Sequence, residues 1–283
     1  MRSRLALAAL AVGLTAGPGS AQDWRDVTSF RQRAGESRLD VHVRYGAGKL
    51  LIQPGTGGEL YRVGMRYDSD VFDPITQYRD GRLEVGVEGR GRGLNLKNSK
   101  AGELKLTLTR DVPLELDLDF GAVEADLELG GLRIASLDIE TGASETDIRF
   151  SEPNPVSCDR LEISLGAAAF EAEGLGNLGC EVVDVEGGVG EITLDFSGEW
   201  RRDAHANLTM ALGSVTLVVP GDVGVRIDKD TFLTDFDGQR FTKRSGVYYS
   251  DGWENAARRL DVDLEGAFGA VNVRWSRASG PTP

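Results

Sequence analysis

The chain is short of the residues on which most enzymes rely. In 283 residues it has 2 histidines, 2 cysteines and 3 methionines. His42 and His205 are far apart in sequence, each within a strand-like context. No histidine cluster, H-E-x-x-H pair or G-x-S-x-G elbow is present, so the common metal-hydrolase and serine-nucleophile patterns are missing. Two cysteines are too few for a cysteine-rich metal cage. No stretch after residue 21 approaches eighteen uninterrupted apolar residues, so none reads as a membrane-spanning helix.

Bases are also scarce, with 32 Lys and Arg against 45 Asp and Glu. At the start, Arg2 and Arg4 precede the apolar run LALAALAVGL, and the small residues Gly19 and Ala21 follow. This is the pattern of a cleaved secretory signal over residues 1–21. The small residues are not followed by cysteine, which argues against a lipoprotein anchor. The expectation is export to the periplasm or the cell exterior with no transmembrane anchor in the mature chain. Removing 1–21 takes away two bases and no acid, leaving 30 bases, 45 acids and a charge of −15. Such a chain avoids nucleic acid and anionic lipid, and attracts cations or basic partners.

What the chain has in quantity is glycine, 37 residues of it. Between Leu114 and Val219 a short paragraph recurs five times: LELDLDFG, SLDIETG, RLEISLG, VVDVEGG and NLTMALG, ending at Gly121, Gly142, Gly166, Gly188 and Gly213. Counting back from each glycine, position minus five holds Leu116, Leu137, Leu161, Val183 and Leu208. Position minus three holds Leu118, Ile139, Ile163, Val185 and Met210. Counting forward, plus four holds Ala125, Thr146, Phe170, Ile192 and Leu217, and plus six holds Leu127, Ile148, Ala172, Leu194 and Val219. Period-two alternation places each set on one face of a strand. Equivalent apolar residues recurring once per repeat are what stacked coils bury.

The fold expected is therefore all-β, a β-solenoid (single-stranded parallel β-helix) of about 22-residue coils. The alternative is an antiparallel β-sandwich, whose hairpins would not repeat residue by residue. Around the regular coils at 114–219, residues 22–37 read as a polar arm or cap. Residues 38–110 read as degenerate coils, about three of them after Gly46. Residues 221–275 read as an aromatic capping insertion followed by a final coil, and 276–283 as a disordered tail. Residues 38–275 thus make one domain.

Cys158 and Cys180 each lie eight residues before a repeat glycine. Equivalent positions in paired strands are about 5 Å apart, within disulfide reach. Matched register in a secreted chain predicts a disulfide between them.

The outward positions are acidic. Asp117, Asp138, Glu162 and Asp184 stand at minus four, and Asp119, Glu140 and Glu186 at minus two. Stacked coils would line them up in ladders, where neighbours about 5 Å apart in water repel by roughly 0.8 kcal/mol. A solvated acidic face explains them; the functional alternative is that bound Ca²⁺ or a cationic partner relieves the repulsion. The calcium-binding nonapeptide GGxGxDxUx is absent, and no other cofactor is implied. Arg90, Arg92, Lys97 and Lys100 form a basic, glycine-rich loop that reads first as an exposed turn.

The aligned segments LDIETGASETDIRF, LEISLGAAAFEAEGL and VDVEGGVGEITLDF resemble the bacterial toast-rack or putative-adhesin family. They are also similar to the C-terminal domain of LiaF-type cell-envelope stress proteins. The ending, VVPGDVGVRID with YYSDGWENAARRLDVDLEGAFGAVNV, and the N-terminal RYGAGKLLIQPG with LYRVGMRYD carry the same resemblance. It implies a right-handed β-solenoid and transfers no catalytic residue. The family's envelope-stress members are often membrane-tethered, whereas this chain shows only a cleavable signal. The function expected is a non-enzymatic binding or structural, adhesin-like module at the cell envelope, with an envelope protein or polysaccharide as partner. The alternatives are an envelope-stress regulatory protein acting through a membrane partner, and a carbohydrate-active enzyme on a β-helix scaffold.

Overall fold

A computed structural model describes residues 23–90, 102–231, 234–236 and 239–277. The expected signal at 1–21 lies outside the described residues, as do Arg92, Lys97, Lys100 and residues 278–283 of the expected tail. The described residues are almost all strand, with one short helix, α1 (Leu175–Leu178).

The regular repeats become β7 (Leu114–Glu128), the broken pair β8 (Ile134–Thr141) and β9 (Glu145–Arg149), β10 (Cys158–Glu173), β11 (Cys180–Asp195) and β12 (Ala204–Pro220). β7 alternates buried and exposed side chains on either side of Gly121–Ala122, where the phase changes, as half-buried strands meeting at a corner do. Neighbouring strands pair in parallel, so that Leu116, Leu137, Leu161 and Val183 stand side by side. Parallel pairing excludes the antiparallel sandwich for this part of the chain. Each strand bends at its glycine onto a second face, where Leu127, Ile148, Ala172 and Leu194 line up. The buried side chains of both faces meet in a single core.

The fifth repeat pairs two residues away from the alignment read in the sequence. Val183 faces Ala206, Val185 faces Leu208, Ile192 faces Val215 and Leu194 faces Leu217. The expected partners Leu208, Met210, Leu217 and Val219 are each one step further along the same face. A shift of two keeps every side chain on its side of the strand, so periodicity cannot detect it. The register is fixed by a second glycine column, in which Gly190 faces Gly213. Gly190 has φ +149°, and a Cβ there would lie 1.9 Å from the carbonyl oxygen of Ala168. Gly213, at φ +142°, meets the Gly190 carbonyl at the same 1.9 Å. Only glycine fits such a corner.

The links between coils are pinned by two amides, Asn154 buried and Asn177 half-buried. Asn154 is 4% exposed. Its Oδ1 accepts from the Ile134 N–H, and its Nδ2 donates to the carbonyls of Ile134 and Leu178. Asn177 Nδ2 donates to the Phe150 carbonyl, and its Oδ1 accepts from the Glu199 N–H. Each amide side chain supplies partners for backbone groups that no strand can reach. The disulfide between Cys158 and Cys180 sits beside these links, its Cα atoms 4.3 Å apart in register-matched positions.

Both ends depart from the sequence reading. β2 (Leu39–Pro54) lies directly against β7, with Leu39 facing Leu114. Outside β2 there is one further layer, made by β5 (Arg82–Gly89) on the first face and β6 (Gly102–Leu108) on the second. The remaining strands run antiparallel: β4 (Phe72–Arg79) on β5, β3 (Glu59–Asp68) on β6, and β1 (Trp24–Gln32) on β3. The described residues 58–90 and 102–110 thus form one outer layer and its antiparallel cover, where degenerate coils were expected. The turns at Asp80–Gly81 and Gly57–Gly58, all with positive φ, reverse the chain too tightly for a parallel coil.

At the other end β17 (Arg258–Ser276) pairs in parallel with β12. β13 (Val223–Thr231) and β14 (Thr234–Phe236) lie outside it, and the hairpin of β15 (Phe241–Arg244) and β16 (Val247–Ser250) packs on β13. The expected final coil is last in sequence but not last in space. Aromatic rings close this end: Phe236 lies 5.8 Å from Phe241 and 4.7 Å from Tyr248, and Phe241 lies 5.7 Å from Trp275.

Candidate binding groove

Stacking brings the outward acids into rows. Asp117, Asp138, Glu162 and Asp184 follow one another across four strands, and Asp119, Glu140, Ser164 and Glu186 form the next row. On the second face Glu124 stands beside Glu145, and Asp126, Asp147 and Glu171 are in line. Residues 114–220 hold 22 of the 45 acids and 5 of the 32 bases, so the excess negative charge is concentrated in the regular coils.

Bases and amides relieve the rows at their margins. His42 Nδ1 lies 2.8 Å from Asp117 Oδ2, and Lys49 Nζ donates to Glu124 over 2.8 Å. Arg160 pairs with Asp184, to which Asn207 Nδ2 also donates over 2.6 Å. Arg226 pairs with Asp261, Asp263 and Asp228, and His205 Nε2 is 3.6 Å from Asp263. The centre has no such relief. Partial burial, and then the charges of Glu162, Asp117 and Glu140, push the Asp138 carboxyl above the usual carboxylate range. Partial burial followed by Glu173, Asp147 and Asp195 does the same for Glu171.

The rows do not converge. Among the described residues no group of three or more His, Cys, Asp or Glu side chains is arranged to hold a metal ion. Each histidine serves a single carboxylate at a row's edge, far from any nucleophile–base arrangement. Arg90 of the basic loop is engaged locally, donating to Asp73 and to the Ser69 carbonyl.

What the rows do border is a groove of about 890 Å³ along the glycine corner. It crosses β7, β8, β10, β11, β12 and β17 in order. At about 4.8 Å per strand it is roughly 24 Å long. Its floor is backbone: Gly121, Gly142, Gly166, Gly188, Ala211 and Ala267. A Cβ on Gly166 would lie 2.6 Å from the Gly142 oxygen, and one on Gly188 would lie 2.5 Å from that of Gly166. The close stacking of these strands and the flatness of the floor therefore have one cause.

One wall is the acid row, with Asp119, Glu140, Glu186 and Glu265 interrupted by Ser164 and Thr209. Behind it, Phe120, Thr141, Leu165 and Met210 line the groove from the core, each 8% exposed or less. Thr141 Oγ1 is buried there without a hydrogen-bond partner. On the far side of the floor, one residue on, Ala122, Ala143 and Ala167 are exposed, and Val189 and Leu212 are 52% and 50% exposed as strand partners. The groove carries no basic side chain and no exposed aromatic ring. Period-two alternation does not reveal it, because the alternation changes phase at the glycine corner. The available signals were a threonine at an inward position and large apolar residues directly after the corner.

Among curated proteins none matches the chain. Solved structures similar to it include a putative cell adhesion protein from Clostridium sporogenes, 18% identical, covering 90% of this chain and 100% of that one at a TM-score of 0.47. A putative adhesin from Bacteroides fragilis is 11% identical over 88% of this chain and 97% of its own, at a TM-score of 0.33. A putative lipid binding protein from Parabacteroides distasonis is 10% identical over 91% and 98%, at a TM-score of 0.26. The family model described as the N-terminal domain of toast_rack, DUF2154, matches residues 20–171, more than half of the sequence. The chain belongs to the toast-rack family.

Proposed function

We propose that the chain is an exported, non-enzymatic binding module of the bacterial cell envelope, and that its binding face is the corner groove. The observation that carries this reading is the groove's regularity. Six consecutive strands present a backbone floor and a polar wall in the same order, and five of them carry an exposed small or apolar residue just beyond the floor. A surface repeating at the strand spacing suits an extended partner, which meets equivalent positions in succession. The disulfide fits an oxidising compartment, and export agrees with the Arg2-to-Ala21 pattern.

The test is retention on crosslinked envelope fractions. The native protein is expected to be retained, and a variant with Glu140→Gln, Glu186→Gln and Leu212→Ser is expected to be lost from them while keeping its melting temperature. Equal retention of native and variant protein would move the binding face away from the groove.

A further inference from the structure

The two sides of the groove change along its length, and the change specifies a ligand class. At the β7 and β8 end the wall holds Asp119 and Glu140 in adjacent strands, facing a lip of alanine. At the β11 and β12 end the lip becomes Val189 and Leu212, while the wall keeps Glu186 and then Thr209. The wall acids are thus adjacent at one end and alternate with Ser164 and Thr209 beyond it, closing at Glu265, while exposed apolar surface grows toward β12. Among the described residues no Lys or Arg pairs with Asp119, Glu140 or Glu186.

We propose that the groove holds an extended basic peptide segment, with Lys or Arg side chains on Asp119 and Glu140 and an apolar side chain on the Val189–Leu212 step. A length of roughly 24 Å accommodates about seven extended residues at about 3.4 Å each. Charge complementarity supplies the orientation and the rate of encounter; the apolar step supplies contact area that salt does not screen. This inference rests on the groove being the binding face.

The probe is a fluorescein-labelled heptapeptide, Lys-Thr-Lys-Thr-Thr-Leu-Leu, compared with its Glu-for-Lys counterpart and with a glucosamine oligomer of similar length. Fluorescence anisotropy is expected to show the basic peptide binding at low salt and weakening as salt rises. Asp119→Asn with Glu140→Gln is expected to weaken it about tenfold, the combined effect of two exposed ion pairs. Leu212→Ser should weaken it severalfold at any salt concentration, with no loss of melting temperature. Equal binding of the basic and acidic peptides would overturn the proposal, as would binding of the glucosamine oligomer alone or indifference to the double acid variant. If native protein is retained on envelope fractions and the groove variant is not, yet no peptide binds, the peptide assignment falls and the groove reading stands. If both assays fail, both fall.

Discussion

Cys158 and Cys180 are neighbours twice over, as register partners in adjacent parallel strands and as the two halves of a disulfide. The bond closes a loop with a sequence separation of 22 residues. In the chain-entropy model such a loop stabilises the fold by about 3 kcal/mol. The Cys158→Ala, Cys180→Ala double variant should lose about that much in denaturant unfolding. Reductant should lower native stability by the same amount and leave the variant untouched. Unreduced native protein should resist alkylation.

The glycine corners separate conformational need from mere glycine content. Gly190→Ala places a methyl group 1.9 Å from the Ala168 carbonyl at φ +149°, so the strands must part there. We expect a loss of about 3 kcal/mol or failure to fold. Gly46 has no positive φ and open space around a Cβ. Gly46→Ala should change stability by less than about 1 kcal/mol in either direction. Paired thermal melts of the two variants check the contrast.

Much of the central fold was legible because a buried column of Leu, Ile and Val per coil leaves few alternatives. Leu116, Leu137, Leu161 and Val183 could be aligned by their distance from a glycine, and the disulfide followed from the same count. The fifth coil slipped because the count was tied to Gly213, which belongs to the column of Gly190 and not to that of Gly188. The ends were illegible for a different reason. Alternation says that a strand exists and which face is buried, but not which strand lies beside it, and β1, β3 and β17 each pair with a partner that the order of the sequence does not suggest. Asn154 was also overlooked, since a polar residue in a link reads as surface until its backbone partners are known. Of the groove, the acid wall was legible as a row; the floor and the unpartnered Thr141 hydroxyl were not.

Asp138 sits at the unrelieved centre of its row. Its folded carboxyl holds a proton to higher pH than in the unfolded chain, chiefly through partial burial. Ionising it therefore works against folding, and the penalty grows as pH rises through the folded value and is complete at neutrality. Asp138→Asn should stabilise the protein at pH 7 by roughly 0.5 kcal/mol, a small effect because solvent screens an exposed side chain. The gain should vanish near pH 3 and shrink in high salt, as read by melting temperature.

Glu36 behaves in the opposite sense. The Ala34 N–H, its own N–H and Arg31 hold its carboxyl down at about 2, from an ordinary 4.5. Arg31 also lies over the Tyr78 ring at 4.3 Å, so the carboxylate helps to clamp β1 to β4. A depressed value means stability that is fully present above about 4.5 and is lost as pH falls toward 2. Glu36→Gln should lower the melting temperature at pH 7 and match the native protein near pH 2. Hydrogen exchange should place the loss in residues 24–32.

The position of β17 between β12 and β13 determines how the molecule resists load. In a solenoid whose strands stack in sequence order, a pull on the last coil peels an edge, breaking a few bonds at a time. Here a pull on the chain beyond Ser276 acts along the axis of a strand that β12 holds to its end and that is gripped from both sides over residues 260–266 and 269–271. Its ladders to β12 and β13 must shear together, and the layer outside it has to be displaced first. A tether attached at that point would draw on the interior of the stack, while one attached before Trp24 would meet only the antiparallel edge of β1.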